Sequence, residues 1–139
     1  MIAPVIHHNP DCGTSRNVLA ILRAVSEPVV IDYLRTGWTR PQLLALFAAA
    51  GLTPRAALRV SKTPAEAMGL TAPDVADDAL LDAMVAHPIL VNRPIVCTPL
   101  GVRLCRPSEA VLEIMERRPD GPVAKKDGTP ILGPGGAPA

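Results

Sequence analysis

The sequence predicts an α/β domain built on a four-stranded mixed sheet, and three observations lead to this fold class. A strand, a helix and a second strand follow one another within about thirty residues at the start of the chain. Two short β-rich stretches near residue 100 are joined by a turn that only antiparallel neighbours can use. Between these halves lies a series of short helical patterns, which cannot extend a strand–helix–strand repeat. The predicted order is therefore β-α-β, a helical insert, and β-β-α.

The first half of the chain carries the predicted parallel pair of strands. An apolar strand runs from Ile2 to His7, and apolar residues at helical spacing predict a helix from Ser15 to about Ala24. The second strand, Val29 to Tyr33, is rich in β-branched residues. Strands joined through one helix are expected to be parallel, with a right-handed crossover.

The helical insert is predicted at about residues 39–87. Thr39 with Gln42 forms a capping-box pattern at the start of its first helix, and Gly51 is a good stop signal. Further helix starts are expected at Thr53-Pro54, at Thr63-Pro64, and at Asp77 or Asp78, with the last helix closed by Pro88.

The sheet resumes with strands from Pro94 to Thr98 and from Val102 to Cys105, and a last helix opens near Ser108. This order matches the thioredoxin-like architecture, in which a cysteine after the first strand lies beside a cis-proline before the third. Pro94 is the candidate for that proline.

The remaining stretch, residues 119–139, holds Pro, Gly and Lys without apolar periodicity and is predicted to be a disordered tail. We therefore expect a single domain over residues 1–118, with the insert inside it.

Composition excludes several classes of function. The chain has 139 residues, with 14 basic and 13 acidic side chains, and the net charge of +1 argues against a nucleic-acid-binding surface. Three aromatic residues are too few for a base-stacking platform: Tyr33, Trp38 and Phe47. Neither a signal-peptide pattern nor an apolar run of membrane-spanning length is evident. The expectation is a cytoplasmic protein with no nucleic-acid or membrane partner.

Three cysteines are present at wide spacing: Cys12, Cys97 and Cys105. Their odd number and a reducing compartment argue against a structural disulfide. None of the histidines has metal-ligand spacing with them, so no metal site is predicted. Cys97 and Cys105 lie within predicted strands, which favours a packing role for both.

Cys12 differs because it lies in a strand-to-helix turn, close to a helix start. The unpaired N–H groups and dipole of a helix N-terminus favour a thiolate over a thiol, and they also suit an incoming oxyanion. Pro10 and Gly13 permit a tight turn, while Thr14 or Ser15 can cap the helix or donate to sulfur. The alternative is that Cys12 is a small buried hydrophobe. Its polar, turn-forming neighbours favour a nucleophile that faces an anionic substrate.

Four segments together resemble the glutaredoxin-coupled arsenate reductases of the ArsC type: residues 8–17, 57–59, 89–96 and 98–109. These motifs are long and contiguous, and the similarity runs from about residue 4 to residue 117. The resemblance implies a nucleophilic Cys12, assistance to its thiolate from His8, and a Ser15 hydroxyl near the sulfur.

The resemblance also implies that three arginines surround the oxyanion: Arg59, Arg93 and Arg106. Guanidinium groups stay charged and pair bidentately with tetrahedral oxyanions, and cations of this kind lower the pKa of a neighbouring thiol. The alternative for each arginine is a surface salt bridge of small worth.

The reaction implied by the resemblance starts with attack of the Cys12 thiolate on arsenate. Glutathione then reduces arsenic to arsenite, and glutaredoxin resolves the mixed disulfide. No tightly bound cofactor is implied, since the resolving thiols come from other molecules.

Two alternatives share the fold. One is a glutathione-dependent thiol reductase with another substrate. The other is a polymerase-binding regulator that senses oxidation through a C-x-x-C pair, which is disfavoured because Ser15 occupies the second position.

Overall fold

A computed structural model describes residues 2–134 of the chain, which forms two compact units. The first unit comprises the residues up to Asp32 together with those from Arg93 onward, and the second unit is Tyr33–Asn92. The second unit contains the predicted insert and extends beyond it at both ends. No helix within residues 2–134 combines the length and the apolar character needed to cross a membrane.

The first unit is built on a four-stranded mixed sheet, which confirms the predicted fold class. Its strands are β1 (Val5–His8), β2 (Val29–Asp32), β3 (Ile95–Thr98) and β4 (Gly101–Leu104), in the spatial order β2-β1-β3-β4. β1 and β2 are parallel, whereas β1 with β3 and β3 with β4 are antiparallel. Pro94, the candidate cis-proline, is indeed preceded by a cis peptide bond and lies directly before β3.

Helix α1 (Gly13–Arg23) packs its apolar face on this sheet. Val18, Ile21 and Leu22 are at most 1% exposed and join Ile6 and Val96 in the core. The predicted last helix is a 3₁₀-helix over Ser108–Ile114. Five of its seven residues are buried, among them Val111 and Ile114 in the core beside α1.

The structure differs from the predicted disordered tail. Residues 119–134 contain a second, two-stranded antiparallel sheet of β5 (Val123–Ala124) and β6 (Pro130–Leu132). Val123 and Leu132 are buried in the core beside α1. Their two-residue apolar runs are too short for a periodic pattern, yet burying these side chains stabilises the hairpin. The last part of the predicted tail, residues 135–139, lies outside the described residues.

The second unit contains three α-helices: α2 (Tyr33–Thr36), α3 (Arg40–Ala50) and α4 (Asp77–Ala86), followed by a 3₁₀-helix over Pro88–Leu90. The predicted capping box at α3 is confirmed, because Gln42 N donates to Thr39 Oγ1 at 3.3 Å and Thr39 N donates to Gln42 Oε1 at 3.4 Å. Gly51 ends α3 at a left-handed φ of 68°.

The helices predicted at Thr53-Pro54 and Thr63-Pro64 are turns instead. The Thr63 hydroxyl lies within hydrogen-bonding distance of the Arg59 and Val60 carbonyls and so bonds backward along the chain. Such local side-chain bonds compete with a helical backbone. Leu58 also forms an isolated antiparallel bridge with Val91, which ends the first of these turns.

Candidate active site

Cys12 lies at the junction between β1 and α1, as the sequence predicts. It is the N-cap residue of α1, with extended φ and ψ of −96° and 121°. Its backbone N–H donates to Asn9 O at 3.1 Å, and its own carbonyl accepts from Arg16 N at 3.0 Å. The residue is 8% exposed, so its sulfur lies in a largely desolvated turn with the helix N-terminus beside it.

Two of the predicted arginines approach this sulfur. Arg106 Nη1 is 3.6 Å from Cys12 Sγ and donates a 2.9 Å hydrogen bond to Arg93 O. The Arg93 side chain is also hydrogen-bonded to Cys12 and is 5% exposed. Two guanidinium groups therefore share the surroundings of one cysteine.

The sheet register explains how these arginines meet, although thirteen positions separate them in the chain. Ile95 in β3 is opposite Leu104 in β4. Continuing that register beyond the ends of both strands brings Arg93 opposite Arg106, and the Cys105 N–H bond to Pro94 O at 2.9 Å supports this continuation. The β3–β4 hairpin therefore holds both cations at one end of the sheet.

The pKa of the Cys12 thiol lies below its ordinary value. Burial raises the pKa, because it disfavours the charged form. Hydrogen bonds from the Ser15 backbone N–H, from Arg93 and from Arg106 lower it, and together they outweigh the burial. The environment of Cys12 is therefore that of a nucleophilic cysteine rather than of an inert core residue.

His8 and Ser15 form a second contact next to the cysteine turn. His8 Nδ1 lies 2.6 Å from Ser15 Oγ, and Asn9 N donates to the same hydroxyl at 3.1 Å. Both His8 and Ser15 are buried. Burial lowers the pKa of His8, with help from Arg23 and Arg16 and against the carboxylate of Asp32. The His8 imidazole next to Ser15 is therefore mainly neutral at pH 7.

The Ser15 side chain thus differs from one expectation. It does not cap α1, whose N-cap lacks a side-chain hydrogen bond. Its backbone N–H, and not its hydroxyl, is the group that lowers the pKa of Cys12. The hydroxyl instead joins the strand-end residues His8 and Asn9 to the first turn of the helix.

The predicted residues fall into three groups. The first group is Cys12, Arg93 and Arg106, which are in mutual contact. The second group is His8 and Ser15, which contact each other, and the third is Arg59 alone. Arg59 belongs to the second unit, where its Nε donates to Ser61 O at 3.3 Å. Its role at an oxyanion stays a prediction.

Asn9 is the residue that the sequence reasoning missed. It is 2% exposed, its carbonyl accepts from Cys12 N, and its Oδ1 accepts from Asp11 N at 2.9 Å. This arrangement is an Asx-turn, and the Asn-Pro-Asp composition of the segment is the signal that indicates it.

The other two cysteines have the opposite character. Burial raises the pKa of Cys97, and it raises the pKa of Cys105 to about 12. Cys105 is fully buried in the core. Among residues 2–134, no group of three or more potential ligands from His, Cys, Asp and Glu could hold a metal ion.

Comparison with known proteins gives one consistent result. The ArsC family profile matches residues 7–114. The chain is 62% identical over 129 residues to "Arsenate reductase ArsI2" of Synechocystis sp., covering 92% of each chain, and 51% identical over 128 residues to "Arsenate reductase" of Escherichia coli strain K12, covering 91% of each. Among solved structures, an arsenate reductase from Vibrio cholerae matches with a TM-score of 0.76 and 40% identity, over 82% of this chain and 98% of that one. The match covers Cys12, the His8–Ser15 contact and both arginines, and the chain belongs to the ArsC family.

Proposed function

We propose that the chain is an arsenate reductase, an oxidoreductase that converts arsenate to arsenite through Cys12. The observation that carries this proposal is the contact of Arg106 Nη1 with Cys12 Sγ, in a site where Arg93 also bonds the sulfur and the thiol pKa is lowered. The substrate follows from the relatives, since proteins that are 51% and 62% identical to this chain are named arsenate reductases.

The proposed first step joins sulfur to arsenic. Arg93 and Arg106 bind the oxygens of arsenate by charge-assisted hydrogen bonds, which holds the anion against the sulfur. The Cys12 thiolate attacks arsenic, an S–As bond forms, and one arsenate oxygen leaves as water after protonation. The two guanidinium charges offset the repulsion between the thiolate and the anion, and they also hold arsenate in the orientation that attack requires.

The proposed reductant is glutathione, which supplies the second sulfur. Its thiol ends in a mixed disulfide with Cys12, and the electron pair of the S–As bond stays on arsenic. Arsenic passes from +5 to +3 and leaves as arsenite. Glutaredoxin then reduces the mixed disulfide by thiol exchange and restores Cys12. The raised pKa values of Cys97 and Cys105 support a scheme in which neither provides the second sulfur. We assign the reaction to the cytoplasm, where reduced glutathione is available.

The remaining predicted site residues have supporting roles in this proposal. His8 and Ser15 hold the end of β1 against the first turn of α1, which keeps Cys12 directed at the anion. Arg59 is proposed as a third cation for the substrate, on the resemblance alone.

The test is a coupled assay with arsenate, glutathione, glutaredoxin and an NADPH-recycling system. We expect arsenite to form, Cys12→Ser to abolish its formation, and Cys97→Ala to leave it intact. The Cys97 variant is the better control, because Cys105 is fully buried. Absence of turnover with Cys12 intact would reject the proposal. Exchange with glutathione disulfides without any arsenate binding would instead favour a thiol reductase with another substrate.

A further inference from the structure

A groove runs along the outer side of α1 in the first unit. Its volume is about 850 Å³, and it lies between α1 and the β5–β6 hairpin. Its lining includes His8, Pro10 and Gly13, which are within four residues of Cys12 in the chain. Ligand sites for small molecules usually have roughly 300–1,000 Å³, so the groove has the size of a small-molecule site.

The walls of this groove are positively charged. Arg16 and Arg23 line it from α1, and Lys125 and Lys126 line it from the hairpin, against one carboxylate at Asp127. Within residues 2–134, only Arg23 of these four cations has an ion-pair partner within 4 Å, the exposed Glu27. Asp127 accepts a hydrogen bond from Thr129 N at 2.9 Å, which ties it to the hairpin turn. The groove therefore favours an anionic ligand.

The spacing of the charges selects an extended ligand over a compact one. Arg16 and Arg23 are seven residues apart on α1, which is about 10 Å along the helix axis. An extended tripeptide spans about the same length. Between the cations the wall is apolar, with half-buried Leu19, Ala20 and Ile131 available to contact an aliphatic backbone.

We propose that this groove binds an anionic peptide thiol of the size of glutathione through its carboxylates. The inference rests on the proposed function, which needs such a reductant. Glutathione carries two carboxylates and one ammonium group, so its net charge is opposite to that of the groove. Arg16 Nη1 donates to Pro10 O at 2.9 Å, which anchors the positively charged wall to the turn that holds Cys12.

The concave shape favours a peptide over the surface of a protein partner. A stable protein–protein contact buries about 800 Å² on each partner, whereas sites for small molecules are concave clefts. The groove offers instead a channel between a helix and a hairpin, with its cations on both walls. The competing possibility is that glutaredoxin docks on this groove, and the experiment must distinguish it from binding of the peptide.

The test uses S-methylglutathione, which keeps both carboxylates but cannot react, titrated into the full-length protein by calorimetry. Lys126→Glu should raise its dissociation constant by at least about threefold, which is the effect expected for an exposed charge. Arg117→Glu is the matched control, since Arg117 is an exposed cation of the same unit outside the groove. The probe with both carboxylates esterified should bind more weakly, and added salt should weaken binding of the charged probe.

Turnover provides a second readout. Lys126→Glu should raise the KM for glutathione and leave the KM for arsenate unchanged, and Lys125→Glu should do the same. Equal binding of S-methylglutathione by Lys126→Glu and Arg117→Glu would overturn the proposal. Binding of the esterified probe as tightly as the charged probe would also overturn it. A raised KM for glutaredoxin with unchanged probe binding would also overturn it.

The inference and the proposed function can fail separately. Charge-dependent binding of the probe without any arsenate turnover would reject the proposed function and leave the groove as a peptide site. Normal arsenate turnover in the lysine variants, with unchanged glutathione KM, would reject only the groove.

Discussion

Replacing Arg106 by Gln should raise the pKa of the Cys12 thiol. The side chain of Arg106 is half-buried, and its Nη1 lies 3.6 Å from Cys12 Sγ. At an effective dielectric constant near 20, two unit charges at this distance interact by roughly 4–5 kcal/mol. Solvent and salt screen part of this, and Gln retains a hydrogen-bond donor, so we expect a residual effect of about 1.5–2 kcal/mol. That corresponds to a rise in the thiol pKa of roughly 1–1.5 units.

The assay is the rate of alkylation of Cys12 by iodoacetamide as a function of pH. Only the thiolate reacts, so the midpoint of the rate profile reports the pKa. Cleavage of the alkylated protein and mass spectrometry isolate the Cys12 peptide from those of Cys97 and Cys105, whose raised pKa values make them slow. Arg106→Lys is the matched variant, because it keeps the charge but loses the planar fork.

We expect the Arg106→Lys midpoint to lie between those of the wild type and Arg106→Gln. An Arg106→Gln midpoint equal to that of the wild type would refute the electrostatic reasoning. It would mean that the helix N-terminus and Arg93 alone keep the thiol acidic. A circular dichroism spectrum checks that the variant still folds, since Arg106 also donates to Arg93 O.

Three further predictions concern stability and are measured by urea unfolding. Ser15→Ala leaves Asn9 N and His8 Nδ1 without their shared partner at a fully buried position, so it should cost about 1–3 kcal/mol of unfolding free energy; a change within error would show that the contact is dispensable. Leu132→Ala removes a fully buried side chain and should cost about 2–5 kcal/mol, whereas Leu100→Ala, at a position that is 59% exposed, should cost far less; equal small losses would mean that the last strand does not join the core. Burial lowers the pKa of both His7 and His8 in the folded state, so the unfolded chain binds more protons below about pH 6.5, and stability should fall as the pH drops from 7.5 to 5.5. His8→Gln should reduce that loss, and an unchanged slope would contradict it.

The sheet was predictable because each of its strands has a local signature. β-branched runs, a short turn and one helix crossover leave few arrangements of the first unit, and the observed strand order is the expected one. The position of Cys12 was predictable for the same reason, since strand, turn residues and helix periodicity are all local. Arg93 and Arg106 entered only through the resemblance, and the strand register explains their meeting.

The features that were missed depend on contacts between distant residues. Val123 and Leu132 belong to very short apolar runs in a Pro- and Gly-rich stretch, and only their burial against α1 reveals a hairpin there. The segment after α3 has two Thr-Pro helix-start signals, yet it forms turns, and Leu58 is bridged to Val91 instead of continuing a helix. A propensity pattern describes a segment by itself and cannot include a partner more than thirty positions away.

The two-residue connection Pro99-Leu100 has an influence beyond its own position. It joins Thr98 to Gly101, which are paired across the strands, and so it determines which residues of β3 and β4 come opposite each other. Side chains alternate between the two sides of a sheet, so a slip of one residue in this pairing would turn Arg106 away from Arg93. The length of a solvent-exposed loop at the far end of the hairpin thereby determines the alignment of the guanidinium pair, without touching either group.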